Sequence, residues 1–570
     1  MKFLYRLTRA DWFYPVLFSA GLFAYLIYNA ALFWNAAIPS EDFIGNFRPF
    51  AQAVLRGEPA AAANKLFPAY PFLLAGASKL VFWQTEDALF TGARLLNLLF
   101  ALPFLFCAYR LFVRFLGRSF AFPALMFLGS NLYTLYSAIN PELEMFLCLT
   151  SSLALCLMAD GSFSATVPAA ITAALKGDSV FIIPACAAAN LSKGKNYSRG
   201  IAAGIIAALP LCLWFAAKFV FAQAGGNAYL SEVASNGPNL WKYPVDCLLA
   251  LAGFPKWLGL AVYNGEQNAA AIVAAAASIA AVMLAIVVCL AAGIRGIAKL
   301  SDKARLPMFI FAGGFFLIHV FYQNTKDRYV VPILWILTLL LFLGIKHIAE
   351  REPKIFAGGR SKAFFAVFAG CLFVYGAITL VQKGDVCMLL FSLFCLLALF
   401  AFLRQHTGAG IARSAFISMC LGVVCLFNIA YGRAAVEHFT LRRMEFKAAG
   451  SWLAANLDAE DYVLMTDGSV AGYYAGEAAN RILLTSSIMA SDVPAFLDEL
   501  SARGVRYILI DDFYIPRLKI GDPNAISRRA QLLQSLKEAA PSIKDLRLVQ
   551  TFPAYTGGQA LLYEYNFKAK

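Results

Sequence analysis

Two adjacent carboxylates, Glu41 and Asp42, lie in the stretch IPSEDFIGNFRPF, directly after a hydrophobic run long enough to cross a bilayer. A carboxylate in such a place can act as a general base, taking a proton from an attacking hydroxyl. Lys65 stands further along the same loop. Arg94, Glu142, Glu144, Lys176, Asp178, Asp327 and Arg328 interrupt or flank later apolar runs, with Tyr329 beside the last of them. Lysine and arginine can hold a phosphate and stabilise its charge as it leaves, arginine with a bidentate grip. An ionisable group inside a bilayer costs about 2.5–3.5 kcal/mol on insertion scales, so each of these residues is a candidate for function. Together they could move a group from a phosphate to a hydroxyl at a membrane surface.

The elements that position these residues are legible in composition. Of 570 residues, 60% are hydrophobic and 14% charged, with 50 Phe and a mean hydropathy of +0.66. A soluble chain carries about 25% charged residues, and apolar runs of roughly 20 residues recur along the first three quarters. The chain reads as a multi-pass membrane protein. Its first run is too long for a cleaved signal peptide and no small-residue cleavage site follows it. The net charge of +14 sits in short basic clusters between apolar runs, a topology signal rather than a nucleic-acid footprint. The 12 Cys fall singly, with no CxxC pair, and the four His show no metal-ligand spacing.

Basic clusters mark the cytoplasmic side. Lys2, Arg6 and Arg9 precede the first run, which puts the N-terminus inside and Glu41–Asp42 outside. A second span near 88–113 ends at Arg110, Arg114 and Arg118, and spans near 120–138 and 143–158 flank the external stretch INPELE. A single span over 164–190 would invert every later basic loop, so the segment is read as two short helices broken at Lys176-Gly177-Asp178. Irregular backbone at that depth is tolerated only when buried in protein or lining a cavity. Further spans near 200–222, 268–294, 307–324, 329–347, 363–381, 386–403 and 415–432 bring the expected total to about 13 helices. The loop 223–266, with Trp241, Trp257 and Tyr263, is expected outside, with an interfacial helix. From AAGSWLAANL onward the pattern changes: DYVLMTDG, VRYILIDD and ALLYEYN read as buried strands, and VPAFLDELSARG as an amphipathic helix closed by glycine. The expected fold class is thus an α-helical polytopic membrane protein with a small C-terminal extracytoplasmic α/β domain. The membrane part covers 1–435, with interfacial helices in a first external loop at 35–87, and the soluble part covers 436–570. This topology gathers the ionisable candidates at one membrane face.

In order along the chain, DFIGNFRPFAQAVLRGE, FPAYPFLLAG, the run from GARLLNLLF to INPELEMF, AALKGDSVFIIPA and DRYVVPIL resemble the GT-C membrane glycosyltransferases. The nearest branch is the protein-mannosyltransferase and aminoarabinose-transferase group (family 39), with some similarity to family 87. The resemblance spans roughly residues 10–350 and rests on the order and spacing of the motifs. It implies inverting transfer of a sugar from a polyprenyl-phosphate donor to an extracytoplasmic lipid, glycan or protein. It further implies a first-loop carboxylate as base, which falls on Asp42. SEDF stands where family 39 often has Asp-Glu, so Glu41 is the second candidate. Lys65, Arg94, Lys176, Arg328 and Tyr329 fall on the motif positions that the resemblance implies, and Glu142 and Asp178, at the same expected membrane face, join them as candidate binding residues for lipid phosphate and sugar. The family also implies a bacterial plasma membrane, with the C-terminal domain periplasmic or extracellular.

Such a transfer needs one carboxylate, because the lipid phosphate already leaves well, and fixed cations can stabilise it. No cofactor is therefore expected. A divalent metal is not favoured, although Glu142 with Asp42 could offer ligands. Structural alternatives stay open at this point. Asp42 could cap a helix, Lys65 could snorkel, and Arg94 could pair with Glu86 or Asp87. Glu142 could simply start its helix. Lys176 and Asp178 could form a local ion pair, and Arg328–Tyr329 could only mark the interface. A transporter or flippase of a lipid-linked saccharide is the alternative function, since broken helices with charges at membrane depth also mark transport sites.

Overall fold

The structure, a computed structural model, describes residues 13–32, 37–58, 68–81, 87–191, 197–221, 240–252, 269–298, 304–321, 327–351, 441, 443–466, 468–490, 492–511, 526–554 and 558–566. It forms two compact units, Met1–Leu32 with Phe47–Val436, and Phe33–Asn46 with Glu437–Lys570.

The first unit is helical. Its described helices are α1 (Phe13–Leu32), α2 (Arg48–Arg56), α3 (Ala69–Ser78), α4 (Ala88–Leu116), α5 (Arg118–Ser130), α6 (Leu132–Ile139) and α7 (Glu144–Ala159), followed by α8 (Thr166–Ala173), α9 (Ile182–Leu191), α10 (Tyr197–Phe221), α11 (Lys242–Ala252), α12 (Ala269–Ala298), α13 (Arg305–Val320) and α14 (Val331–Arg351). Among the described residues four helices are long and apolar enough to cross a membrane: Phe13–Leu32, Ala88–Leu116, Tyr197–Ala217 and Arg328–Ile348. The count is up to five if α6 and α7, bent by 111° from one another, make one span. The expected spans near 363–381, 386–403 and 415–432 lie outside the described residues. The structure therefore bears on only part of the expected set of about 13.

Local chemistry explains the breaks. The expected span at 120–138 is two helices, because Asn131 takes an extended backbone and its side-chain oxygen accepts from Tyr133 N at 3.0 Å, capping α6. The same side chain donates to the Ala250 carbonyl of α11 at 2.8 Å. The expected break inside 164–190 is present. Helix α8 stops at Ala173, Lys176 is extended (φ −157°, ψ 145°), and a 3-10 turn over Gly177–Phe181 leads into α9. The Ser179 hydroxyl lies 2.6 Å from the Thr172 carbonyl and 2.5 Å from that of Lys176, which ties the two sides of the break together. Elsewhere α12 and α14 approach closely at Gly293 and Gly344. A Cβ built on Gly293 would run into the Leu340 backbone, and one on Gly344 into that of Cys289.

The second unit contains α15 (Met444–Asn456), β1 (Tyr462–Met465), α16 (Gly468–Ala475), β2 (Ile482–Leu484), α17 (Val493–Ala502), β3 (Val505–Asp511), α18 (Ile526–Ala539), β4 (Leu546–Pro553) and β5 (Gln559–Tyr565). The sheet order is β2-β1-β3-β5-β4. β1 runs parallel to β2 and β3, while β5 runs antiparallel to β3 and β4. Both faces are covered. Val463, Met465 and Leu509 pack with Phe446, Ala449 and Leu453 of α15 on one side. Leu464, Ile508 and Ile510 pack with Phe496, Leu500, Leu533 and Leu536 on the other. This is the two-residue alternation of strands. Ile38 belongs to the α15 core and Ile44 packs against it, so residues far upstream complete this unit.

Candidate functional site

Within the first unit, the α6–α7 link, the α8–α9 break and the turn before α14 come together. Asn97 of α4 pins the link, its amide donating to the carbonyls of Asn140 and, at 2.7 Å, Glu142. Pro141 cannot extend α6, and the chain emerges with Glu142 and Glu144 pointing inward, 2% and 3% exposed. Arg328 lies between them: its Nη1 donates to Glu142 Oε1 at 2.5 Å and its Nε stands 3.7 Å from Glu144 Oε1. Tyr70 of α3, fully buried, brings its hydroxyl near both carboxylates.

Next to this, Lys176 Nζ meets Asp178 Oδ2 at 2.9 Å and lies 3.9 Å over the Tyr329 ring. His319 Nε2 reaches the same carboxylate oxygen at 3.0 Å, and its Nδ1 lies 2.8 Å from the Phe315 carbonyl. Both ring nitrogens therefore face oxygen acceptors. The imidazole is clamped between Phe315 and Tyr243, with ring centroids 4.5 and 4.7 Å away. Tyr243 Oη in turn donates to the Tyr329 carbonyl at 3.0 Å. Three carboxylates thus face three nitrogen bases in a self-compensated cluster, which keeps the buried charges tolerable. Exposure is uneven. The side chains of Asp178, Glu142 and Glu144 are 0–4% exposed, those of Lys176 and Arg328 16% and 14%. The accessible edge of the cluster is cationic.

An apolar cavity of about 440 Å³ lies beside it, lined by Phe72 of α3, Ile171 and Ala174 at the end of α8, and Leu213 and Trp214 of α10. Ala174 is two residues from Lys176, and its carbonyl accepts from Ala69 N at 3.1 Å, which joins α3 to the break. The Trp214 ring stacks on Phe50 of α2 at 5.5 Å.

Of the residues singled out in the sequence, Glu142, Lys176, Asp178, Arg328 and Tyr329 are brought together here. Arg94 is buried and donates to the Ala30 carbonyl of α1 at 3.3 Å, a tie between α1 and α4. Asp87 pairs with Arg48 at 3.1 Å and caps α4 by accepting from Phe90 N. Lys65 lies outside the described residues. Glu41 and Asp42 belong to the second unit. There the Glu41 carboxylate accepts from Arg443, and Asp42 Oδ1 meets the Asn46 amide at 3.5 Å. His319, Tyr243, Asn97 and Arg443 were not singled out beforehand. For His319 the signal was available: an ionisable residue inside the apolar run FFLIHVF. Among the described residues no group of three or more His, Cys, Asp or Glu could hold a metal ion.

Compared by sequence, the chain matches no protein-family model and no curated protein. Compared by structure, it is similar to ArnT from Cupriavidus metallidurans bound to undecaprenyl phosphate, with a TM-score of 0.54 at 13% identity over 96% of this chain and 97% of that one. The apo state of the same ArnT gives 0.49 at 13% identity, over 95% and 98%. The oligosaccharyltransferase of Archaeoglobus fulgidus tethered with an acceptor peptide gives 0.46 at 11% identity, over 96% and 74%. The fold is similar to that of this ArnT, over nearly the whole length of both chains.

Proposed function

We propose that this chain, built on the GT-C fold, transfers a sugar from a polyprenyl-phosphate donor to an extracytoplasmic acceptor hydroxyl, with inversion. The observation that carries the reading is the uneven exposure of the buried cluster, which offers Lys176 and Arg328 as its accessible cations. In this reading they bind the lipid phosphate and stabilise its charge as it leaves. Asp178, His319, Glu142 and Glu144 hold them in place. The cavity at Trp214 has the size and apolar lining for part of an isoprenoid tail. Asp42 takes the proton of the acceptor hydroxyl, and the sugar passes to that oxygen as the donor phosphate departs with its electron pair. The plasma membrane of a bacterium, with the second unit outside the cytoplasm, is the proposed setting.

The test is transfer from a panel of radiolabelled polyprenyl-phosphate sugars in membranes. Wild-type protein is expected to consume one donor. Asp42→Asn should lower kcat by at least about 100-fold, the usual weight of a general base, with donor KM little changed. Lys176→Gln and Arg328→Gln should raise donor KM instead. Transfer that survives in Asp42→Asn removes that residue from the role. The charged break between α8 and α9 also favours a second reading, transport. Labelled lipid that changes leaflet with no sugar transferred would decide for it.

A further inference from the structure

The second unit contains a contact that the transfer reaction would need and that the sequence motifs do not announce. Residues 37–46 are built into this unit at several points. Ile38 lies in the α15 core and Ile44 packs against it. Tyr474 Oη donates to the Ala37 carbonyl at 3.4 Å. Ser40 caps the turn that follows, its hydroxyl accepting from Phe43 N at 3.2 Å and its carbonyl from Ile44 N at 3.0 Å. Arg443 then reaches across 402 residues of sequence to the Glu41 carboxylate. Its side chain is 9% exposed, and the residue takes a left-handed backbone, φ +79°, alone in this among the described non-glycine residues. Such a conformation persists only where the surroundings over-determine it. Its carbonyl accepts from Phe446 N and Lys447 N, so the same residue opens α15.

We infer that Arg443 is a positioning residue for the transfer reaction: by holding Glu41 it fixes the capped turn that presents Asp42. The inference rests on the transferase reading above and sharpens it. It separates the two neighbouring carboxylates into a structural ligand, Glu41, and the base, Asp42. A base displaced by about 1 Å can cost 100-fold in rate without loss of substrate binding.

The experiment uses full-length protein and the donor that wild type consumes. Arg443→Gln and Glu41→Gln are each expected to lower kcat 10- to 100-fold, as roughly 1 Å of misplacement would, with donor KM unchanged. The double variant should be no worse than the poorer single one, and the reversed pair Glu41→Arg with Arg443→Glu should recover part of the rate. Arg506→Gln is the control for loss of stability alone, since Arg506 pairs with Asp461 and Glu564 in the same unit at 2.9 Å each. It should lower the melting temperature and leave kcat per folded protein intact. If Arg443→Gln does not fold, Glu41→Gln, which leaves the start of α15 untouched, decides alone. Wild-type kcat in Arg443→Gln or Glu41→Gln overturns the inference and leaves the transferase reading standing. So does a loss that matches Arg506→Gln at equal stability. A wild-type chain that transfers no sugar overturns both.

Discussion

Glu445, two residues after Arg443, is 1% exposed at the start of α15. Burial, with the Asp511 carboxylate nearby, pushes its carboxyl up to about 7, while its own backbone N–H and Arg443 pull the other way. In the unfolded chain it titrates near its ordinary 4.5. Between those values the unfolded chain ionises while the folded carboxyl keeps its proton. Its contribution to stability is therefore full at low pH and is lost as pH rises through about 7, a decline of up to about 3 kcal/mol. Thermal melts of the full chain should show wild type gaining stability from pH 8 down to pH 5, and Glu445→Gln lacking most of that gain. An identical pH profile for the two proteins would refute the assignment. At this scale the sequence was informative for residues whose meaning is local. Lys176 and Asp178 could be paired on paper because they are two apart. His319 could not be paired in the same way, because its partner Asp178 lies far earlier in the chain, in the turn between α8 and α9.

At the scale of elements, close approach is the constraint. Helices α12 and α14 meet backbone to backbone at Gly293 and Gly344, and a side chain there must push them apart. Gly344→Leu is expected to destabilise by about 1–3 kcal/mol, the range for forced overpacking, and to lower the yield of folded protein in detergent. Gly313 of α13, where an added Cβ meets nothing within 4 Å, should tolerate alanine. Equal losses at the two positions would contradict the packing described. Which elements form was readable where the cause is in the segment itself. DYVLMTDG, VRYILIDD and ALLYEYN are strands β1, β3 and β5, and the helix pair interrupted at Lys176 is interrupted there. The split of 120–138 at Asn131 was not readable. The apolar pattern continues through it, and the Asn131 side chain that caps α6 is itself anchored to the Ala250 carbonyl, 119 residues away.

For the whole molecule, the division into units does not follow the chain. Residues 33–46 leave the first unit, join the second, and the chain then returns for nearly four hundred residues before the rest of the second unit begins. A fragment covering 437–570 should therefore be incomplete, with the places of Ile38 and Ile44 uncovered. Linking residues 33–46 to it should raise its melting temperature by roughly 5–10 °C, the worth of one or two buried isoleucines in a domain of this size. No change on linking would show that the segment is a passenger. The arrangement also sets a timetable. A ribosome adds about 5–20 residues per second, so the 402 residues between Glu41 and Arg443 take roughly 20 to 80 s to appear. Throughout that interval the turn bearing Asp42 has been translated but has nothing to close upon. A chain stopped just before Arg443 would already carry the described helices of the first unit and still lack the contact that holds Glu41, so this turn would close only after residue 443 has been made.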